Sequence, residues 1–290
     1  MRAKCPHFFC PGFIITILSY TSPMFYIKRI IFYIFICCLP ASQPLANTTI
    51  EASARLLNFN YEEFDGLTGQ SANKETGVIP GLSIAVSKIL NNYTNTIGVE
   101  VYSGQVDYDG YTQSDVPHST VTDEKLYQLF YQLNWSLTTS SSIYGKVAWQ
   151  QWDRDILPAN NVSGLFEQYQ WWAFEAGLLA TLLENDINKW QFEFGASKIS
   201  NGTIKIDLDR FGYGQPVLNL GDGYGLSAAL KFLHNLSNRD QVQLSLQHRY
   251  WTFGESNSET ISNGSTTIII TEPRSVSNHT ILSINYRYYF

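Results

Sequence analysis

Residues 125–137 read KLYQLFYQLNWSL, and in them Tyr127, Leu129, Tyr131, Leu133, Trp135 and Leu137 alternate with Gln128, Gln132, Asn134 and Ser136. Only an extended strand puts every second residue on one face, and this face is apolar and aromatic along its whole length. KWQFEFGAS repeats the pattern with Trp190, Phe192 and Phe194 against Gln191, Glu193 and Ser197. In DQVQLSLQHRYW, Val242, Leu244, Leu246 and Tyr250 oppose Gln243, Ser245, Gln247 and Arg249. No helical repeat competes with it beyond residue 50.

Ten such segments follow one another, at 51–64, 79–90, 96–108, 125–138, 142–154, 168–183, 188–199, 222–234, 240–253 and 276–290. Their connectors alternate in length. NNYTN, TTSSS, ENDIN and NLSNRD are short, whereas the stretches around 65–78, 109–124, 155–167, 200–221 and 254–275 are long. Strands of nine or more residues, an even strand count and this loop rhythm predict a membrane-spanning barrel. Lipid offers backbone N–H and C=O groups no partner, so a sheet survives there only by closing on itself. The alternative is a soluble sandwich or lipocalin-like barrel, and strand length together with the N-terminal segment favours the membrane.

That N-terminal segment, residues 1–46, holds all four cysteines (Cys5, Cys10, Cys37, Cys38), both methionines and no acidic residue. From Met24 it runs MFYIKRIIFYIFICCLPASQPLA, with Lys28 and Arg29 ahead of an apolar run from Ile30 to Leu39 and small residues up to Ala46. This is the layout of a secretory signal peptide, with translation starting at Met24 and cleavage near Ala46. The apolar run is about half of the ~20 residues a spanning helix needs. Ile34, Phe35 and Ile36, which precede Cys37, are too large for a lipoprotein site at Cys37 or Cys38. The domain reading is therefore a presequence over 1–46 and a barrel over 47–290.

Without the presequence, 25 acidic residues face 15 basic ones, since four of the 19 lie in the first 46. That balance argues against nucleic-acid binding. With no cysteine beyond residue 46, a disulfide framework, thiolate metal sites and a cysteine nucleophile are excluded there.

The chain ends HTILSINYRYYF, in which Leu282, Ile284, Tyr286, Tyr288 and Phe290 are apolar or aromatic at every second position. This ending resembles the β-signal of bacterial outer-membrane β-barrel proteins. The resemblance implies an all-β fold, a closed antiparallel transmembrane β-barrel of ten strands with short periplasmic turns and long extracellular loops. It also implies export through the Sec pathway to the bacterial outer membrane, with outer-membrane lipid, lipopolysaccharide and the barrel assembly machinery as partners.

With the apolar phase facing lipid, the opposite phase places Glu62, Glu100, Lys146, Glu175, Glu193, Lys231, Arg249 and Arg287 in the lumen. Four acids facing four bases suit a narrow barrel, where enclosed charges must be paired. Trp135, Trp149, Trp190 and Trp251 are expected in membrane-interface girdles.

Ten strands also resemble the omptins, outer-membrane proteases whose rim site pairs two Asp with an Asp/His pair opposite. On that resemblance Asp107 and Asp109, in QVDYDG, stand for the first pair, and Asp207 and Asp209, in IKIDLDR, for the second. Asp209 occupies the place of the histidine, so the base that would activate water near neutral pH is missing. His118 is the nearest loop histidine. The same aspartates are expected to be solvated loop carboxylates, without a metal, and no cofactor is expected. No Gly-rich phosphate loop, HExxH or GxSxG motif occurs.

The last long stretch, GESNSETISNGSTTIIITEPRS, centres on Asn263–Gly264 between Thr- and Ile-rich arms, which predicts a β-hairpin. The functional expectation is a non-enzymatic barrel with a plugged lumen, whose surface loops bind, adhere or serve envelope integrity. An omptin-like rim protease and a narrow passive pore are the alternatives.

Overall fold

The computed structural model describes residues 47–66, 68–111 and 116–290. The presequence reading falls on residues 1–46, outside the described ones.

Among the described residues thirteen strands follow in chain order: β1 Thr48–Phe64, β2 Ser71–Leu90, β3 Tyr93–Tyr111, β4 Pro117–Ser136, β5 Ser141–Ile156, β6 Leu165–Glu184, β7 Asn188–Asp207, β8 Val217–Asn219, β9 Gly223–Asn235, β10 Asp240–Phe253, β11 Glu259–Ser262, β12 Thr267–Ile270 and β13 Arg274–Tyr289. Ten of them, β1–β7, β9, β10 and β13, form an antiparallel ring, in which each strand pairs with the next. β13 returns to β1, from Thr49 opposite Tyr289 to Phe64 opposite Arg274, and closes the barrel. β8 pairs with the top of β7, and β11 with β12 forms the hairpin expected at Asn263–Gly264, where Gly264 takes a positive φ of 87°.

All ten expected strands are present, and several run well past their expected ends. β2 begins at Ser71 rather than 79, and β4 at Pro117 rather than 125. Twenty residues at about 3.3 Å each, tilted by about 40°, reach roughly 50 Å along the axis, twice the ~25 Å apolar band of a membrane barrel. About half of each twenty-residue strand therefore lies beyond the band, on the side of the long loops, and less of the shorter β9 and β10.

The outer surface shows where the change occurs. Over the half near the short turns it exposes Ile50, Leu56, Leu82, Ile84, Tyr131, Leu133, Phe192, Phe194, Leu244 and Leu246. Beyond it the outward positions become Lys74, Gln105, Asp107, Asp109, Lys125, Asp153 and Lys205. Side-chain amides bridge neighbouring strands there: Gln105 donates to Asp123 at 2.8 Å, Gln168 to Asp153 at 2.8 Å and Gln170 to Gln151 at 3.1 Å. Such a surface is built for water. The membrane-spanning parts of the strands are the apolar half, and the rest forms an extension beyond the membrane on the long-loop side.

The interior inverts with it. Inside the spanning half the inward residues are mostly polar, including Ser53, Gln243, Ser245, Ser283 and Asn285, with a few apolar ones such as Ala229 and Leu233. Inside the extension they are Leu57, Phe59, Tyr61, Ile79, Val106, Trp152, Tyr169, Ile204 and Phe253, a packed apolar core. Trp152 lies at its centre, stacked on Tyr169 at 4.6 Å and meeting Tyr61 edge-on at 4.8 Å.

This inversion corrects two sequence readings. Glu62 faces outward, while Tyr61 and Glu63 face in, because in the extension the apolar phase is the inner one. Trp251 lies on the inner face, against His279 at 4.3 Å and Trp171 at 6.4 Å, rather than in a girdle. Bulky inward residues need space in the opposing strand: a Cβ on Gly77 would come within 2.8 Å of Val106, and one on Gly81 would collide with the Tyr102 ring.

Candidate functional site

The spanning half carries a layer of ion pairs. Arg249 grips Glu100 with both terminal nitrogens, at 3.1 and 3.2 Å, and Arg55 approaches the same carboxylate at 2.7 Å. Lys146 pairs with Glu175 at 3.2 Å, Lys231 with Glu193 at 2.6 Å, and Arg287 with Glu51. Tyr144 and Ser227 also donate to Glu175, at 2.5 and 2.8 Å. Of the expected lumen set, Glu100, Lys146, Glu175, Glu193, Lys231, Arg249 and Arg287 point inward; Glu62 does not. Arg55 and Glu51 complete the network and were missed, although both share the inward phase of Ser53. Towards the short-turn end the inner wall bounds a cavity of ≈340 Å³, lined by Arg55, Glu100, Lys231, Gln243, Asn285 and Arg287 among others.

A second cluster lies in the extension, and here the charges do not balance. The Arg154 guanidinium is 2% exposed and binds three carboxylates: Glu63 at 2.9 Å, Glu75 at 2.9 Å and Glu167 at 2.6 Å. Thr122 donates to Glu75 at 2.9 Å, Asn73 to Glu63 at 2.5 Å, and Trp152 Nε1 to a fourth carboxylate, Glu124. A fifth, Glu272, enters from the last loop and accepts the Tyr169 hydroxyl at 2.7 Å. Burial and the adjacent Glu75 carboxylate push the Glu124 carboxyl well above its ordinary range. Burial, Glu63 and Glu167 do the same to Glu272. The sequence contained one signal for this cluster: in QWDRDI, Arg154 shares its phase with Trp152 and Ile156, whereas Asp153 and Asp155 take the other face.

The aspartates at the rim are not brought together. Asp107 and Asp109 point outward from β3, opposite in phase to the buried Val106 and Tyr108, and Asp109 accepts the Ser119 hydroxyl at 2.6 Å. Asp207 ends β7 and accepts the Asp209 amide at 3.1 Å, while Asp209 opens a 3-10 turn over Asp209–Phe211 and accepts Gln215 Nε2 at 2.6 Å. His118 is buried on the inner face of β4 beside Tyr108, their rings 6.2 Å apart. No pair of these carboxylates faces the other across the lumen.

The closing strand presents Leu282, Ile284, Tyr286 and Phe290 outward, with Tyr288 edge-on to Phe290 at 4.9 Å. The Phe290 amide donates to the Thr48 carbonyl at 3.0 Å, which ties the last residue to the start of β1.

No protein-family model and no curated protein matches the chain. Among solved structures it is similar to the outer membrane protease OmpT from Escherichia coli, with 9% identity and a TM-score of 0.59 over 84% of this chain and 97% of that one. It also matches the translocator domain of the autotransporter NalP from Neisseria meningitidis, at 10% identity and a TM-score of 0.44, covering 92% and 96% of the two chains. A third match is Neisserial surface protein A, at 12% identity and a TM-score of 0.35 over 84% and 98%. The chain thus has the closed ten-stranded antiparallel fold of outer-membrane β-barrels. At such identities the likeness to the protease is one of fold alone.

Proposed function

We propose that this protein is a non-enzymatic integral outer-membrane barrel, exported through the Sec pathway, whose lumen is plugged and whose extracellular extension displays loops for binding, adhesion or envelope integrity. The observation that carries this reading is the interior of the extension. Trp152, Tyr61, Phe59, Tyr169 and Arg154 are each at most 2% exposed, so the barrel is filled by its own side chains where a solute would have to pass. The outward Asp107 and Asp109 and the absence of a histidine beside Asp207 speak against the rim protease. The apolar belt suits outer-membrane lipid and lipopolysaccharide, and the outward phase of Leu282 to Phe290 suits recognition by the barrel assembly machinery. Planar-bilayer recording of the detergent-extracted protein is expected to show no stable open events. Open events at the level of a porin, or peptide cleavage lost in Asp107→Asn, would replace this reading by the pore or the protease.

A further inference from the structure

The last loop, residues 254–273, is attached to the barrel in an unusual way. Its Glu272 side chain is 6% exposed and reaches into the carboxylate cluster, while its backbone exchanges two hydrogen bonds with Ser256 at the loop's other end. The Ser256 amide donates to the Glu272 carbonyl at 3.0 Å, and the Glu272 amide donates to Ser256 Oγ at 2.8 Å. The two ends of the loop are therefore clamped at the residue that enters the barrel.

Glu272 faces Glu63 and Tyr61 of β1, Arg154 of β5, and Glu167 and Tyr169 of β6; Glu75 of β2 and Tyr108 of β3 lie against Arg154, and on β4 Glu124 lies by Glu75 and His118 by Tyr108. Arg154 already binds three carboxylates. Arg274, two residues beyond Glu272, is exposed and lies over the Phe64 ring at 4.8 Å. No second cation among these groups is in place to neutralise an ionised Glu272. The Tyr169 hydroxyl supplies one hydrogen bond, which does not offset a fourth buried negative charge beside one guanidinium.

We propose that the last extracellular loop is a proton-latched lid: Glu272 holds it against the barrel mouth while its carboxyl carries a proton, and the loop lifts when that proton is lost to solvent. The latch is independent of what the loops bind. It determines when the carboxylate cluster and Ile270, which packs against the apolar core, become accessible. The direction follows from charge. Burial, Glu63 and Glu167 raise the Glu272 carboxyl well above its ordinary value, so its contribution is complete below the ordinary carboxylate range and is lost as pH rises through the raised value.

Hydrogen–deuterium exchange of the detergent-extracted chain, corrected for intrinsic exchange, tests this between about pH 5 and about pH 9. Protection of the 254–273 peptide is expected to fall with rising pH at up to about tenfold per pH unit, the slope of one released proton, while β5 and β6 stay protected. Glu272→Gln, which hydrogen-bonds but cannot ionise, is expected to keep the loop protected throughout. Glu63→Gln, which removes a repelling charge, lowers the raised value, so the fall becomes smaller and ends at lower pH, and it decides the matter if Glu272→Gln does not fold by its heat-modifiable gel mobility. Constant protection in the unmodified chain, a parallel fall in Glu272→Gln, no shift in Glu63→Gln, or an equal loss in β5 and β6 would each overturn the latch.

Discussion

The spanning half and the extension of this barrel are made from the same strands, yet they are built in opposite senses. Below, apolar side chains face out and ion pairs face in; above, Gln and Asp face out and a Trp152-centred core faces in. In lipid an apolar interior gains nothing over the apolar exterior, so the inner face is free to hold paired charges. In water, burying apolar area is the main driving force, and the inner face becomes a core. One strand such as β5 therefore serves as a membrane strand over Ile143–Ala148 and as a soluble-barrel strand over Gln151–Ile156.

The comparison can be broken most severely at Arg154. Arg154→Leu leaves Glu63, Glu75 and Glu167 buried together, and a loss of about 3–5 kcal/mol is expected from removing one partner of a buried pair. It would appear as a large drop in the temperature at which the compact, unboiled gel band disappears. Trp152→Ala should cost about 3–5 kcal/mol through the cavity it leaves in the extension, measured the same way. A similar loss from Gln243→Ala, on the inner face of the spanning half, would show that the two interiors are not different in kind.

The outer faces provide a smaller but sharper contrast. Leu246→Arg, on the apolar belt, should cost about 2–4 kcal/mol in refolding into lipid vesicles. Asp107→Arg, on the outer face of the extension, should stay within about 0.5 kcal/mol. Equal effects would move the membrane boundary upward past Asp107. Smallest of all, replacing Lys231 and Glu193 together by Met and Leu should be close to neutral, whereas Lys231→Met alone should destabilise, since it leaves Glu193 without its partner.

The strand count, the phase of Tyr127 to Leu137 and the pairing of the last strand with the first were readable because period-two alternation is a local property. So were seven of the eight lumen charges. Glu62 was misplaced because the reading assumed one medium along the whole strand, and in YEEF the apolar neighbours pointed in rather than out. Arg154 and Glu272 were not found, since nothing near either residue announces a partner: Arg154 and Glu63 are 91 positions apart, and Tyr169 and Glu272 are 103 apart. The resemblance to omptins suggested a rim site at the aspartate pairs, and side-chain direction separated them.

By itself the sequence determined that the chain must close into an antiparallel barrel with an apolar girdle, because alternation and backbone hydrogen bonding leave lipid no other solution. Only the tertiary structure decided how far the strands rise above the girdle, which acids share a guanidinium, and that a loop carboxyl is inserted among them. Those outcomes depend on register around the whole ring, and no local pattern contains the distance between residues on opposite walls.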